Sequence, residues 1–469
     1  MALHRARFPS RWRSRKRPAN EAGPGSAMKF PFGLPNIATA PFCPSEVRGT
    51  VAVPRSLPFW PKLWRYAGPG LLISVGYMDP GNWATDIEAG SRYGYALLFV
   101  IVASSLSAML LQSLCMRLGV VTGHDLARMA RLEYSKGVAR FLWLLAELAI
   151  IATDVAEVLG SALAFNLLFG IPLWAGILLT ALDTVLILGL KGKGFRQIEA
   201  IILGLVGTIT VCFVIQLAFS PPDPGAVLAG LVPRGEAFRD PHALYLAIGI
   251  LGATVMPHNL YLHSSIVQTR ITTEDDASKR DAMKFETIDI VASLLLASFV
   301  NAAILLLAAS TFHASGNTGV TEIEDAYRLL APLTGAALAS TLFAVALFAS
   351  GQSATFTGTI AGQVILEGFL DLKIPCWLRR VITRGLALIP ALAGVLILGD
   401  HSVGRLLVLS QVVLSAQLPF AIWPLIRFTS SRRLMGDFAN GAGVKAIAWT
   451  LFGIVSGANI WLLVSLFGS

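Results

Sequence analysis

Gly76-Tyr77-Met78-Asp79-Pro80-Gly81-Asn82 and Gly252-Ala253-Thr254-Val255-Met256-Pro257-His258-Asn259 each interrupt an apolar run with proline among polar side chains. Proline in a helix interior removes a backbone donor, so each stretch predicts two half-helices rather than one continuous span. In lipid, carbonyls freed by such a break are tolerated only where they line a cavity or meet a ligand. Interrupted apolar segments at corresponding places in two halves of a chain point to a binding site at mid-membrane depth. The two stretches therefore predict the architecture and the position of a site together.

The rest of the chain agrees with lipid as its solvent. The 469 residues are 55% hydrophobic and 14% charged, with a mean hydropathy of +0.66. Soluble domains carry about 25% charged residues. Apolar runs long enough to cross a bilayer, roughly 20 residues each, fall at about 66–90, 95–118, 138–168, 172–190, 197–219, 243–269, 286–313, 336–365, 379–398, 404–427 and 445–467. The expected fold is all-α integral membrane, with about 11 transmembrane helices of which the first and sixth are discontinuous. Residues 1–61 read as a disordered basic cytosolic tail, and residues 62–469 as the membrane domain. The two breaks are five runs apart, an odd offset, so residues of about 66–219 and about 243–427 are expected to form two inverted halves of five runs each, with the run at about 445–467 as an addition.

The net charge of +9 sits mostly between the runs. Connections after the even-numbered runs hold Arg128, Arg131, Lys136 and Arg140, then Lys191, Lys193 and Arg196, then Arg270, Lys279, Arg280 and Lys284. The same side continues with Lys373, Arg379, Arg380, Arg432 and Arg433, whereas the opposite loops hold mostly acids such as Asp223, Glu322, Glu324, Asp325 and Asp400. This bias predicts a multi-pass protein of the cell (inner) membrane with a cytosolic N-terminus and an external C-terminus. Topology accounts for the basic residues, and no nucleic-acid partner is expected. Cys43, Cys115, Cys212 and Cys376 have no CxxC spacing, which argues against structural disulfides and a cysteine metal site. There is no HExxH and no nucleophile–base pair, so the reading is not an enzyme and calls for no cofactor.

The breaks carry their own chemistry. Carbonyls at the C-terminal end of a half-helix bear partial negative charge and suit a cation. Asp79 and Asn82 are three residues apart and can converge on one ligand, while the Ala253 carbonyl and Met256 lie just before Pro257. Hard oxygens plus one soft sulfur favour manganese(II) or ferrous iron over magnesium and calcium. Methionine is also ordinary filling in membrane helices; the adjacent break is what marks Met256. An intramembrane carboxylate such as Asp79 is functional by default. His258 can pass a proton or hydrogen-bond a freed carbonyl. In the third run, Asp154 and Glu157 lie about 20° and about 80° round the helix from Glu147, a proton path or a set of partners for buried cations. Arg380 and Arg384 are the candidate partners, and a static salt bridge is an equal reading for Glu147. Gly358-x-x-x-Gly362 has close-packing spacing. Gln411 either reaches a bound ion in a closed state or makes an interhelical hydrogen bond.

An ordered set of motifs gives the chain a family likeness. Asp79-Pro80-Gly81-Asn82, Arg117-Leu118-Gly119 with Thr122-Gly123, Ala253 with Met256-Pro257-His258, and Leu262-His263-Ser264-Ser265 are joined by Thr357-Gly358-Thr359 with Ala361-Gly362-Gln363, and by Met435-Gly436-Asp437. In these the chain resembles the NRAMP family of proton-coupled divalent metal transporters, in its bacterial manganese-transporting branch. The resemblance implies a LeuT-like 5+5 inverted repeat and metal ligation by Asp79, Asn82, the Ala253 carbonyl and Met256. It also implies contributions from the Gly76 backbone in the inward state and from Gln411 on occlusion. Asp154, Glu157 and His258 match positions associated with proton movement, and Asp79 links metal to proton. The expected function is proton-coupled import of Mn(II) and Fe(II) by alternating access, with the protein acting as a monomer. A metal-gated channel, or a transporter-derived metal sensor without proton coupling, is the alternative.

Overall fold

The computed structural model describes residues 49–54, 56–182, 195–233, 235, 239–270, 275–372, 376–399 and 403–467; most of the expected tail falls outside them. The described regular structure is all helical. The first half runs through α1 (Phe59–Tyr66), α2 (Pro69–Ser74), a 3-10 turn (Val75–Met78), α3 (Pro80–Tyr93), α4 (Leu98–Thr122), α5 (Leu126–Glu133), α6 (Lys136–Phe169), α7 (Leu173–Leu179) and α8 (Phe195–Phe219). After α9 (Pro224–Gly230), the second half runs through α10 (Pro241–Thr254), α11 (Pro257–Ile266), α12 (Asp276–Ala308), α13 (Ile323–Thr334), α14 (Ala337–Leu370), α15 (Cys376–Leu398) and α16 (Val403–Thr429). It is followed by α17 (Arg432–Met435) and α18 (Ala442–Phe467).

Among the described residues, nine helices are long and apolar enough to cross a membrane, and two shorter apolar helices cover Pro69–Met78 and Leu173–Leu182. Those nine and two fall one-to-one on the eleven apolar runs of the sequence. The run expected at 172–190 is described only as far as Leu182. The run expected at 286–313 belongs to a helix that starts earlier, at Asp276, because Asp275 caps it by accepting from Ser278 N at 3.3 Å. Its first turns, with Lys279, Arg280 and Lys284, are too charged for an apolar criterion to detect. The 34 residues of α6 reach about 50 Å at 1.5 Å per residue, well beyond a hydrocarbon core of about 30 Å. Side chains such as Ile397 at 79% exposure and Val464 at 66% belong against acyl chains.

Both breaks form where the sequence places proline. Pro80 and Pro257 each occupy the first position of a new helix, where the missing N–H would have had no helical partner. Asp79 and Met256 precede them in extended backbone, with ψ of 164° and 123°, as a residue before proline must. The α-helical donor for the Gly76 carbonyl would stand at position 80, and that for the Ala253 carbonyl at position 257. Both positions are proline, so each break removes the donor of one defined carbonyl.

The segment before the first break is anchored at its start. Asp289 on α12 accepts from Gly68 N at 3.1 Å and Gly70 N at 2.6 Å, holding the beginning of α2. Arg196 and Arg270 both donate to the Ala67 carbonyl, at 2.5 and 3.1 Å, and both pair with Glu199 on α8, at 3.0 and 2.5 Å. After the break, Trp83 on α3 is fully buried, with ring centroids 4.9 Å from Phe213 on α8 and 5.2 Å from Phe343 on α14. The half-helices α2 and α3 are thus held by different sets of contacts.

Candidate metal centre

Asp79 is fully buried and caps α3, its Oδ1 accepting from Asn82 N at 2.9 Å. Gln411 on α16 donates from Nε2 to the other oxygen, Oδ2, at 3.4 Å. A side chain at Gly81 would collide with the Gln411 amide, so glycine is what lets α16 approach the break. At Gly252 on α10 an added Cβ would meet the Gln411 carbonyl oxygen and lie 2.7 Å from Ser415 Cβ. One turn of α16 therefore lies against the glycine of each break. This brings Asp79, Asn82 and Gln411 together at the first break and places the backbone beside Ala253 next to them.

The carbonyls just before Asp79 are provided for. Tyr77 O accepts from Asn82 Nδ2 and from Asn301 Nδ2 on α12, both at 2.8 Å. Met78 O accepts from Ser350 Oγ on α14 at 2.5 Å and from Trp83 Nε1 at 3.3 Å. Asn259, on α11, donates to Ile73 O at 3.3 Å and lies against Gly76. Other acceptors are left over. Asn82 Oδ1, Gln411 Oε1, Thr254 Oγ1, Asn259 Oδ1 and Asn301 Oδ1 are buried without a hydrogen-bond partner. Buried polar atoms are nearly always satisfied, so each of these oxygens is open to a partner such as water or an ion.

Met256 is fully buried in a small apolar cluster with Ala149 on α6 and Leu414 on α16, apart from the main core. Among the described residues no three histidine, cysteine or carboxylate side chains could hold a metal between them. A cation at the breaks would instead take one carboxylate, amide oxygens, freed carbonyls and the thioether.

The acidic flank of α6 lies beyond the second break. His258 is buried, with Nδ1 at 3.3 Å from Thr153 Oγ1, the residue next to Asp154; its Nε2 has no hydrogen-bond partner. Glu157 Oε2 is 3.5 Å from Arg384 Nη1. Glu147 is held by Arg379, whose Nη2 donates to the two carboxylate oxygens at 2.8 and 3.1 Å. Of Arg380 the side chain lies outside the described residues. Gly358 and Gly362 face these ionic groups: an added Cβ at Gly358 would lie 2.6 Å from Glu157 Oε1, and one at Gly362 2.9 Å from Arg379 Nη2. Their spacing makes room for charged side chains of α6 and α15 against α14.

Replacing Arg379 by Gln strands a largely buried Glu147 carboxylate. The expected cost is about 3 kcal/mol or more of stability, since breaking a buried pair leaves an uncompensated charge. Thermal unfolding in detergent measures it, and the double substitution Arg379→Gln with Glu147→Gln is expected to recover most of the loss. A single variant as stable as the parent would show that the pair contributes nothing.

Several residues of the site carry no motif of their own. Asn301 is a lone polar residue in an apolar run, and Ser350, Thr153 and Asn259 sit beside more conspicuous polar neighbours. Asp86 could have been found from its own run: it is 1% exposed, its Oδ2 has no hydrogen-bond partner, and it lies two turns beyond Asp79. His263 joins a chain behind the break, His263 Nδ1 to Gln112 Oε1 at 3.0 Å and Gln112 Nε2 to the Tyr77 hydroxyl at 2.7 Å.

A helical membrane bundle with two interrupted helices facing one buried polar site is the architecture of a secondary transporter. The chain belongs to the Nramp family: residues 70–465 match the family model described as natural resistance-associated macrophage protein-like. It is similar to the divalent metal cation transporter MntH of Ralstonia nicotianae, 63% identical over 430 residues that make up 92% of this chain and 97% of that protein. Divalent metal cation transporter MntH 1 of Pseudomonas aeruginosa is 63% identical over 437 residues, 93% of this chain and 100% of its own. Among solved structures, the manganese transporter of Eremococcus coleocola superposes with a TM-score of 0.84 at 41% identity, covering 90% of each chain. MhsT superposes with a TM-score of 0.56 at 15% identity, over 85% of this chain and 98% of its own. That likeness is one of fold alone, and the fold is LeuT-like; the family and the close relatives make the chain a membrane transporter and not an enzyme.

Proposed function

We propose that the chain imports divalent transition-metal ions, Mn(II) and Fe(II), together with protons, by alternating access around the two breaks. One observation carries the reading: Asp79, Asn82 and Gln411 converge where two prolines have each deprived a carbonyl of its donor, and the oxygens left without partners are buried. The relatives, divalent metal cation and manganese transporters, support the metal. Asp79, Asn82, the Gly76 and Ala253 carbonyls, Gln411 and Met256 are the proposed ligands, and Met256 sets the preference for transition metals.

Proton coupling follows from charge. A bare carboxylate at this depth is costly, so Asp79 carries either a proton or a metal ion. Exchange of one for the other releases a proton beside the second break. His258, one contact away through Thr153, and the Asp154–Glu157 flank give it a route, with Glu147 fixed at the far end by Arg379. A channel would need a continuous opening, whereas Asp79, Met256 and Gln411 are all fully buried. The basic loops orient the N-terminus to the cytosol and the C-terminus to the outside, and the site needs no residue from a second copy.

Manganese uptake into proteoliposomes, with and without an imposed inward proton gradient, tests the proposal. Saturable uptake that accelerates with the gradient is expected. Saturable uptake that ignores the gradient would overturn the coupling, and uptake that never saturates would favour a channel.

A further inference from the structure

Between α6, α16 and α18 the molecule carries an apolar groove of about 480 Å³, within the roughly 300–1,000 Å³ of ordinary ligand pockets. Its wall on α16 includes Phe420, Trp423 and Pro424, and its wall on α18 includes Phe452, Ile460 and Leu463. Tyr134, in the short link between α5 and α6, also lines it. The helical period carries both walls on to a cation. Arg427 lies one turn beyond Trp423 and Pro424, and Lys445 lies two turns before Phe452. Arg427 is exposed, its guanidinium carbon 5.8 Å from the centre of the Tyr134 ring. Neither Arg427 nor Lys445 has a carboxylate partner among the described residues, whereas the neighbouring Arg433 is engaged by Glu133.

We propose that this groove is a binding site for an anionic phospholipid, an acyl chain lying along α16 and α18 and the phosphate held by Arg427 and Lys445. The argument is one of complementarity. The groove opens to the surface that faces acyl chains, at the edge of the membrane that carries the basic loops. A lipid tail is as apolar as the groove wall, so the tail alone gives little preference, and the headgroup must supply it. Two cations without acidic partners at the mouth of an apolar groove select a negative headgroup over a zwitterionic one. The wall also contains Ser456 and Asn459, whose Oγ and Oδ1 have no hydrogen-bond partner. A helix from a second copy could use them, and that is the occupant the experiment must exclude.

The test uses the full chain in nanodiscs of phosphatidylcholine and phosphatidylglycerol in equal parts, with photoreactive acyl chains on one lipid at a time. Native mass spectrometry counts the retained lipid, and peptide mapping locates the cross-links. Retained phosphatidylglycerol is expected to exceed phosphatidylcholine, with cross-links between residues 416–424 and 452–463. Arg427→Ala is expected to reduce the excess about fivefold, with unchanged melting and, in proteoliposomes, unchanged manganese uptake; Lys445→Ala is expected to act in the same direction. Ser456→Trp, which fills the groove and leaves both cations, is expected to abolish the cross-links. Equal retention of both lipids, an excess that survives both alanine variants, or cross-links to a second copy along α18 would each overturn the proposal.

Discussion

Asp79→Ala is expected to weaken manganese binding by at least about 100-fold, the upper end of what even an outer-shell change costs a metal site. Asp79 is the carboxylate at the centre of the proposed ligand set, so its removal leaves a divalent charge with only neutral oxygens and one sulfur. It also caps α3, and alanine at a helix N-cap costs typically about 1 kcal/mol. Asp79→Asn separates the two effects, because asparagine caps as well as aspartate. The asparagine variant is expected to melt like the parent and still bind at least about 100-fold more weakly. Calorimetric titration with manganese decides the matter: affinity retained within about tenfold in either variant would remove Asp79 from the site.

Replacing Met256 is expected to change selectivity more than affinity. A thioether adds little for calcium or magnesium and more for softer transition metals. Alanine there would also leave a gap beside Ala149 and Leu414, and truncating a buried methionine costs about 2–5 kcal/mol. Met256→Leu keeps the volume and removes the sulfur. The leucine variant is expected to lower the ratio of manganese to calcium uptake about tenfold or more, the equivalent of roughly 1.4 kcal/mol, with little change in melting. An unchanged ratio would show that the side chain is packing alone.

The sequence made the breaks legible because proline and its neighbours act locally, and made the spans legible because lipid imposes one length on all of them. The partners were a different problem. Asn301 and Ser350 lie more than 200 residues from the carbonyls they satisfy, and each is an unremarkable polar residue in its own run. Adjacent helical residues point about 100° apart, so the meeting of Arg379 with Glu147 on α6 depends on the rotation of α15, which hydropathy does not encode. The Gly358–Gly362 spacing was readable as close packing, but the acids it accommodates belong to another helix. Asp86 carries its own signal, an acid in an apolar run two turns beyond Asp79.

The hydrogen bonds on Tyr77 O and Met78 O have a mechanical consequence. Asn301 and Ser350 pin the turn between α2 and α3 to two long helices, α12 and α14, while Asp289 holds the far end of α2 and Ser91 and Tyr93 fasten the far end of α3 to Asn317 O and Asp240. A turn fastened in this way is a fulcrum. In the alternating access proposed above, the bonds from Asn301 and Ser350 would hold the bend in place while a half-helix tilts about it.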